Sequence, residues 1–202
     1  MQVQVQPVGP KNYKRLRSSL TGRASEFDSE GCRFDSCLRN QRERIKLADY
    51  LTGCTHFGHE NIIRLAERPF ADVAEMDAAL IEGWNEVVAP GDTVYHLGDF
   101  AMRGAPAEEY KEQLNGSIIE IQGNHDPKGW GHNYLTMHRK KLKIVLFHYP
   151  IEVWDGWWCG AVHFHCHTHS KEFVSAERRG NVGVDATGYK PIRLDEAIEK
   201  IL

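Results

Sequence analysis

Five short stretches of this chain carry most of its reactive side chains: CTHFGH at Cys54–His59, HLGDF at His96–Phe100, QGNHD at Gln122–Asp126, FHYP at Phe147–Pro150 and HFHCHTH at His163–His169. Each follows a stretch that reads as a β-strand. Loops beyond strand ends are where layered folds place chemistry. Five such loops bearing Cys54, His56, Asp99, Asn124, His125, Asp126, His148, His167 and His169 point to one convergent site. Imidazole, carboxylate and amide oxygen together suit manganese, iron or zinc. In an extended segment residues i and i+2 point the same way, so Cys54 with His56, and His167 with His169, are each expected to offer two ligands to one region. Gly98 and Gly123 are expected to let the backbone turn sharply and approach closely. Taken singly each motif is ordinary: GNHD has the composition of a turn, and a histidine at a strand end is usually a hydrogen-bonded surface group. It is the ordered set that argues for a site. His163 and His165 read as orienting partners or core residues.

The elements that must carry these loops are legible in part. Strands are expected at Tyr50–Gly53, Thr93–Leu97, Ser117–Gln122, Leu142–His148, Ala161–His165 and Val182–Asp185. Val73, Met76, Leu80, Trp84, Val87 and Val88 share one face of a helix over Asp72–Val88, with Asp72 and Glu75 as a capping box. A second helix opens at Pro106 and ends near Leu114, and Leu194–Leu202 reads as a closing helix. Strands intermixed with helices make the class α/β or α+β with a layered sheet core.

The chain has 202 residues and a formal net charge of -3, so its overall charge names no partner. Ten Lys and Arg against five acidic residues fall in 1–47, which reads as a basic extension with a short helix near 35–47. Such an arm is either a solvated extension or a nucleic-acid contact. Residues 48–202 read as the globular domain. The start lacks the apolar core of a signal peptide, and no apolar run reaches membrane-spanning length. Five cysteines without a secretory signal suggest free thiols and a cytoplasmic setting.

From Tyr50 onward, CTHFGHENI, GDF, GNHD, HYP and CHTH, with RPF at Arg68–Phe70 and NVGVD at Asn181–Asp185, resemble the motifs of the calcineurin-like metallophosphoesterases, most closely their small phage-type and bacterial branch. The resemblance implies a four-layer sandwich of two mixed β-sheets flanked by helices. It also implies two divalent metals and hydrolysis of a phosphoester, more readily a diester, by a metal-bound hydroxide. Carried over, His56 and His169 with position 54 would bind the first metal, and Asp99 would bridge. Asn124, His148 and His167 would bind the second. His125 would assist the leaving oxygen, and Asp126 would orient His125.

The chain departs from this pattern where the family has Asp and this chain has Cys54, and where GHTH becomes CHTH at Cys166. Gly53 also stands where Ser is common. Cys54 is open to three readings: a substituted ligand, a lost ligand, or a redox-active thiol. Cys54 and Cys166 are expected to lie close together, and could pair. Trp154, Trp157 and Trp158 would wall a substrate pocket or pack a core. Arg139, Lys140, Lys141 and Lys143 would attract an anion or simply be solvated, and His59 would reach the edge of the site. Three functions compete: a phosphoesterase acting on a small ester, a non-catalytic scaffold with a degenerate first site, and a nucleic-acid-processing diesterase using the basic arm. None calls for a membrane.

Overall fold

The computed structural model describes residues 47–202; the basic extension and the helix expected near 35–47 lie outside the described residues, Leu47 apart. Two mixed sheets stack face to face. The first has the order β3-β2-β1-β9, from β1 (Asp49–Thr52), β2 (Thr93–His96), β3 (Ser117–Glu120) and β9 (Ile192–Arg193). β1, β2 and β3 run parallel, and β9 closes the edge antiparallel to β1. The second has the order β4-β5-β6-β8-β7, from β4 (Leu135–Arg139), β5 (Leu142–Leu146), β6 (Val162–His165), β7 (Val174–Ala176) and β8 (Arg179–Asn181). Here β5, β6 and β8 are parallel, and the two outer strands are antiparallel.

The period of two decides what each face meets. Tyr50 and Val94 point outward to Met76, Leu80 and Trp84 of the helix α2 (Val73–Val87). Leu51, Leu97 and Ile121 point inward to Ile144, Leu146, Val162 and Phe164 of the second sheet, with Leu194, Ala197 and Ile201 of the closing helix α5 (Leu194–Ile201). Each such side chain removed from water contributes roughly 1.5–3 kcal/mol. Val145 points the other way, to Trp154 and Ala161. The outer face of the second sheet is thus covered there by a loop with a 3₁₀ turn (Trp157–Cys159), where the resemblance implied a helix.

The capping box on α2 is present: the Asp72 carboxylate accepts from Glu75 N–H at 2.8 Å, and the Glu75 carboxylate reaches back to Ala71 N–H at 2.6 Å. Three readings needed correction. Val182–Asp185 is not a strand: the Asn181 side chain accepts from Gly183 N–H and turns the chain into the short helix α4 (Val184–Thr187). The basic run forms a hairpin, as its solvated reading had it: Arg139 ends β4, Lys140 and Lys141 make the tight turn with Lys140 in the left-handed region, and Lys143 is in β5. The helix α1 (Glu60–Leu65) gave no sequence signal at six residues. α3 (Ala107–Lys111) is shorter than expected.

Candidate metal centre

The parallel strands bring five loops together, but not by extended alternation. β1 ends at Thr52 and β6 at His165, before the reactive residues begin. Cys54, His56, Asp99, His167 and His169 all have positive φ, between 52° and 59°. The expectation that i and i+2 share a side along a strand is therefore overturned; these side chains stand on left-handed residues. A non-glycine residue there costs roughly 1–2 kcal/mol, and such strain persists only where the surroundings over-determine it.

The surroundings do so. Cys54 N–H bonds Gly98 O and His56 N–H bonds Asp99 O, at 2.8 and 3.0 Å, so the first two loops stay zipped past their strands. Thr55 and His96 lock the same pair: Thr55 Oγ1 donates to Phe100 O at 2.7 Å and sits 2.9 Å from His96 Nε2. Burial drives His96 down to about 3, so it is a neutral strut. A Cβ at Gly98 would fall 2.5 Å from Gly123 N, and one at Gly123 would fall 2.2 Å from Asp99 Oδ1, which is the close approach expected of these glycines.

Two ligand clusters result, and a third group, Cys54 with His148 and Cys166, overlaps both beneath them. In the first, one donor atom each from Cys54, His56 and His169 lie within 4.8 Å of one another. Both ring nitrogens of His56 are buried without a hydrogen-bond partner. Desolvation lowers that imidazole to about 2, leaving a neutral ring with a free lone pair. His169 Nδ1 faces Asp185 Oδ2 at 2.8 Å, which leaves Nε2 for the cluster. Cys54 Sγ accepts from His167 N–H at 3.0 Å. In the second cluster, Asp99, His148 and His167 meet the same 4.8 Å limit. His148 Nδ1 bonds Leu97 O at 2.8 Å, and Nε2 faces Asn124 Oδ1 at 3.0 Å and His167 Nδ1 at 3.1 Å. Asp99 Oδ2 lies between the clusters, 3.6 Å from His56 Nε2 and 3.4 Å from His148 Nε2. Burial alone would raise the Asp99 carboxyl; the bonds from His148 and the His125 N–H, with His56 nearby, hold it below the usual carboxylate range.

The orphaned ring nitrogens of His56, an ionised carboxylate, a thiol and an amide oxygen converging in one place fit divalent cations. The structure brings Cys54, His56 and His169 together on one side and Asn124, His148 and His167 on the other, with Asp99 between.

Asp126 departs from its expected role. Its carboxylate accepts from the N–H groups of Asp99, Gly123 and Phe100 at 2.7, 2.8 and 3.0 Å, and neither oxygen bonds the His125 ring. It staples two loops together. His125 itself lines a pocket of about 240 Å³ with His56, His59, Ile62, Leu65, Asp99, His167 and His169. His59 is thus at the site edge, its ring 5.4 Å from that of His56, with Nδ1 buried and unpartnered.

His163 and His165 face the opposite side of β6. His163 packs on Trp154 at 5.2 Å and His165 bonds Ser175 Oγ at 2.8 Å; burial lowers both to about 4. Trp154 is core and Trp158 is exposed, so the tryptophans do not line this pocket. The aromatic groups beside the metal ligands are Tyr149, 4.6 Å from the His167 ring, then Phe147 and Tyr134. Cys54 and Cys166 are close but both are free thiols, and burial raises Cys166.

Sequence reasoning gave Arg68 and Asp185 no role, although RPF and NVGVD marked them. They form a buried pair, Nε to Oδ1 2.8 Å and Nη2 to Oδ2 3.1 Å, and Arg68 also donates to Cys54 O at 2.7 Å and Thr55 O at 2.9 Å.

The two-sheet sandwich carries on its loops the motifs whose order resembles that of the calcineurin-like metallophosphoesterases. No family profile matches the chain. It is 38% identical over 160 residues to the uncharacterized protein MJ1445 of Methanocaldococcus jannaschii, covering 75% of this chain and 90% of that protein, and it belongs to the same family. The crystal structure of AQ665, a protein of unknown function from Aquifex aeolicus, superposes with a TM-score of 0.63 at 26% identity, over 77% of this chain and all of that one. The likeness to Yfce, a phosphoesterase of E. coli, is remote: 15% identity and a TM-score of 0.39, over 68% of this chain and 78% of that one.

Proposed function

We propose that the protein is a metal-dependent phosphodiesterase with a dinuclear centre. The observation that carries this reading is Asp99: one carboxylate oxygen lies within 3.6 Å of an imidazole nitrogen from each cluster, as a bridging ligand must. When bound, two metals supply Lewis-acid activation of the phosphoryl group and a nucleophile at neutral pH. The chain's own residues do the rest. Asp99 would hold the two ions at a fixed separation. The ring of His125 points into the pocket, where a ring N–H would donate its proton to the departing oxygen, a contribution of typically ~10²–10⁴-fold. The αL loops and glycine contacts hold the ligands before any ion arrives.

Two features favour a diester. Among the described residues lining the pocket there is no Lys or Arg, and Arg68 is already spent on Asp185 and two carbonyls. A monoester dianion would call for such a cation; a singly charged diester needs none beyond the metals. Ile62 and Leu65 in the pocket wall offer apolar surface to a second ester substituent. Thiolate ligation by Cys54 favours zinc or iron over manganese.

The test is hydrolysis of bis(p-nitrophenyl) phosphate against p-nitrophenyl phosphate by protein loaded with zinc, iron or manganese. Diester turnover that is abolished by a chelator, exceeds monoester turnover and disappears in Asp99→Asn supports the reading. Absence of diester turnover with every metal favours the non-catalytic scaffold.

A further inference from the structure

The two clusters are held differently, and the difference falls on Arg68 and Asp185. Both side chains are fully buried. Such a pair has a large desolvation cost, and replacing it with apolar groups often stabilises a fold. Its contacts lead to one place. Asp185 Oδ2 takes His169 Nδ1, and Arg68 takes the carbonyls of Cys54 and Thr55. The remaining Arg68 contact is a long one to Met76 Sδ at 3.4 Å. Both Asp185 oxygens take Arg68 nitrogens, at 2.8 and 3.1 Å, so the carboxylate is an acceptor and the imidazole donates to it from Nδ1. Cys54, whose carbonyl Arg68 grips, is one of the left-handed residues. The second cluster touches neither residue: His148 is fixed by the Leu97 carbonyl, and Asp99 by the His125 N–H.

We propose that Arg68 and Asp185 are a positioning pair dedicated to the first cluster. Asp185 fixes the tautomer that turns His169 Nε2 toward the ion, and Arg68 holds the Cys54–Thr55 backbone in the conformation that aims the thiol at the same point. The pair makes a cysteine serviceable where the family has an aspartate: the ligand is softer, but its backbone is clamped and its neighbour's tautomer is set. This rests on reading the first cluster as a metal site, and the experiment separates the two claims.

The probe is cobalt(II), whose thiolate charge-transfer band reports Cys54 ligation without any turnover. Wild-type protein should show the band, and zinc competition should give two binding events. In Asp185→Asn the thiolate-reporting event should weaken about 10–100-fold, the usual effect of losing a ligand's orienting partner, while the other stays within about twofold. Arg68→Lys, which keeps the charge but cannot span both carbonyls, should do the same. No thiolate band in wild type sinks the metal reading of the first cluster and the pair's role with it. A band that survives both substitutions unchanged, or equal weakening of both events, sinks the positioning role alone. Should neither variant fold, ¹⁵N-resolved imidazole spectra of metal-free wild type decide: His169 must be the Nδ1–H tautomer, and an Nε2–H tautomer overturns the proposal.

Discussion

The two ligand clusters sit side by side on the same loops, yet they are held differently. In the second, His148 is fixed by the Leu97 carbonyl and Asp99 by the His125 N–H, while the Asp126 carboxylate holds the loops between them through three N–H groups. In the first, the backbone of Cys54 and His56 is zipped to Gly98 and Asp99, and a buried side-chain pair is added: Asp185 holds His169 and Arg68 holds the Cys54 carbonyl. Main-chain fixation depends on the fold as a whole and survives most substitutions. The added fixation hangs on two residues and changes when either does. The unusual ligand is in the cluster that carries it. The comparison therefore predicts that metal identity and metal loss are decided at the first cluster.

The largest effect should come from removing what the clusters share. Asp99→Asn should lower metal content at both and diester turnover by about 10³-fold, the scale on which a single pre-organised electrostatic group acts. His125→Ala should lower turnover ~10²–10⁴-fold with both metals still bound, because its ring is a ligand in neither cluster. If His125→Ala also empties either cluster, the division of labour is wrong.

A change of metal preference comes next. Cys54→Asp puts a hard carboxylate where the thiolate stood. The first cluster should gain manganese affinity, by about tenfold or more, and lose the cobalt thiolate band; the second should not respond. Manganese binding that is unchanged at both would show that position 54 is no ligand, and the contrast between the clusters would lose its chemical half.

A smaller effect concerns the histidines of the same segment that belong to neither cluster. His165 has a folded value of about 4, below the ordinary 6.5, so the native state binds fewer protons than the unfolded chain. Stability is full above 6.5 and is lost as pH falls toward 4. At pH 5 this one group costs about 2 kcal/mol. In metal-free protein, His165→Gln should flatten the fall in urea stability between pH 7.5 and 5 by about that amount. An unchanged slope would mean that the acid sensitivity arises within the clusters.

The motifs made the two-sheet class and the convergence of the five loops legible, because residue type and order survive in sequence. The route to the geometry was not legible. Left-handed φ at Cys54, His56, Asp99, His167 and His169 has only a weak local signature, since Asp and His visit that region more than most residues but far less freely than Gly. Asp126 was misread because GNHD puts it next to His125, whereas its partners Asp99 and Phe100 lie 27 and 26 residues away. Arg68 and Asp185 are 117 residues apart, a separation at which pairing cannot be read from one chain.

The same limit hid the meaning of Cys166. In sequence it pairs naturally with Cys54, as two cysteines replacing family residues at one site. In space its nearer counterpart is Gly53. A Cβ on Gly53 would fall 2.8 Å from Cys166 Sγ and 3.1 Å from its Cβ, too close for any side chain. The resembled family has Ser near 53 and Gly at 166, so this chain has moved the bulk from one position to the other. Cys166 Sγ lies 3.1 Å from Leu97 O, and burial raises the thiol, so it is protonated and donates that bond. It belongs to the packing beneath the centre, while Cys54 belongs to the centre. Gly53→Ser alone should overpack and cost about 1–3 kcal/mol. Cys166→Gly alone should leave a void and cost about 1–2 kcal/mol. The double variant should be more stable than their sum by about 1 kcal/mol or more, with the cobalt thiolate band intact. Additive losses would show that the two positions are not a packing exchange. Loss of the band in Cys166→Gly would place the second thiol among the ligands after all and redraw the boundary of the first cluster.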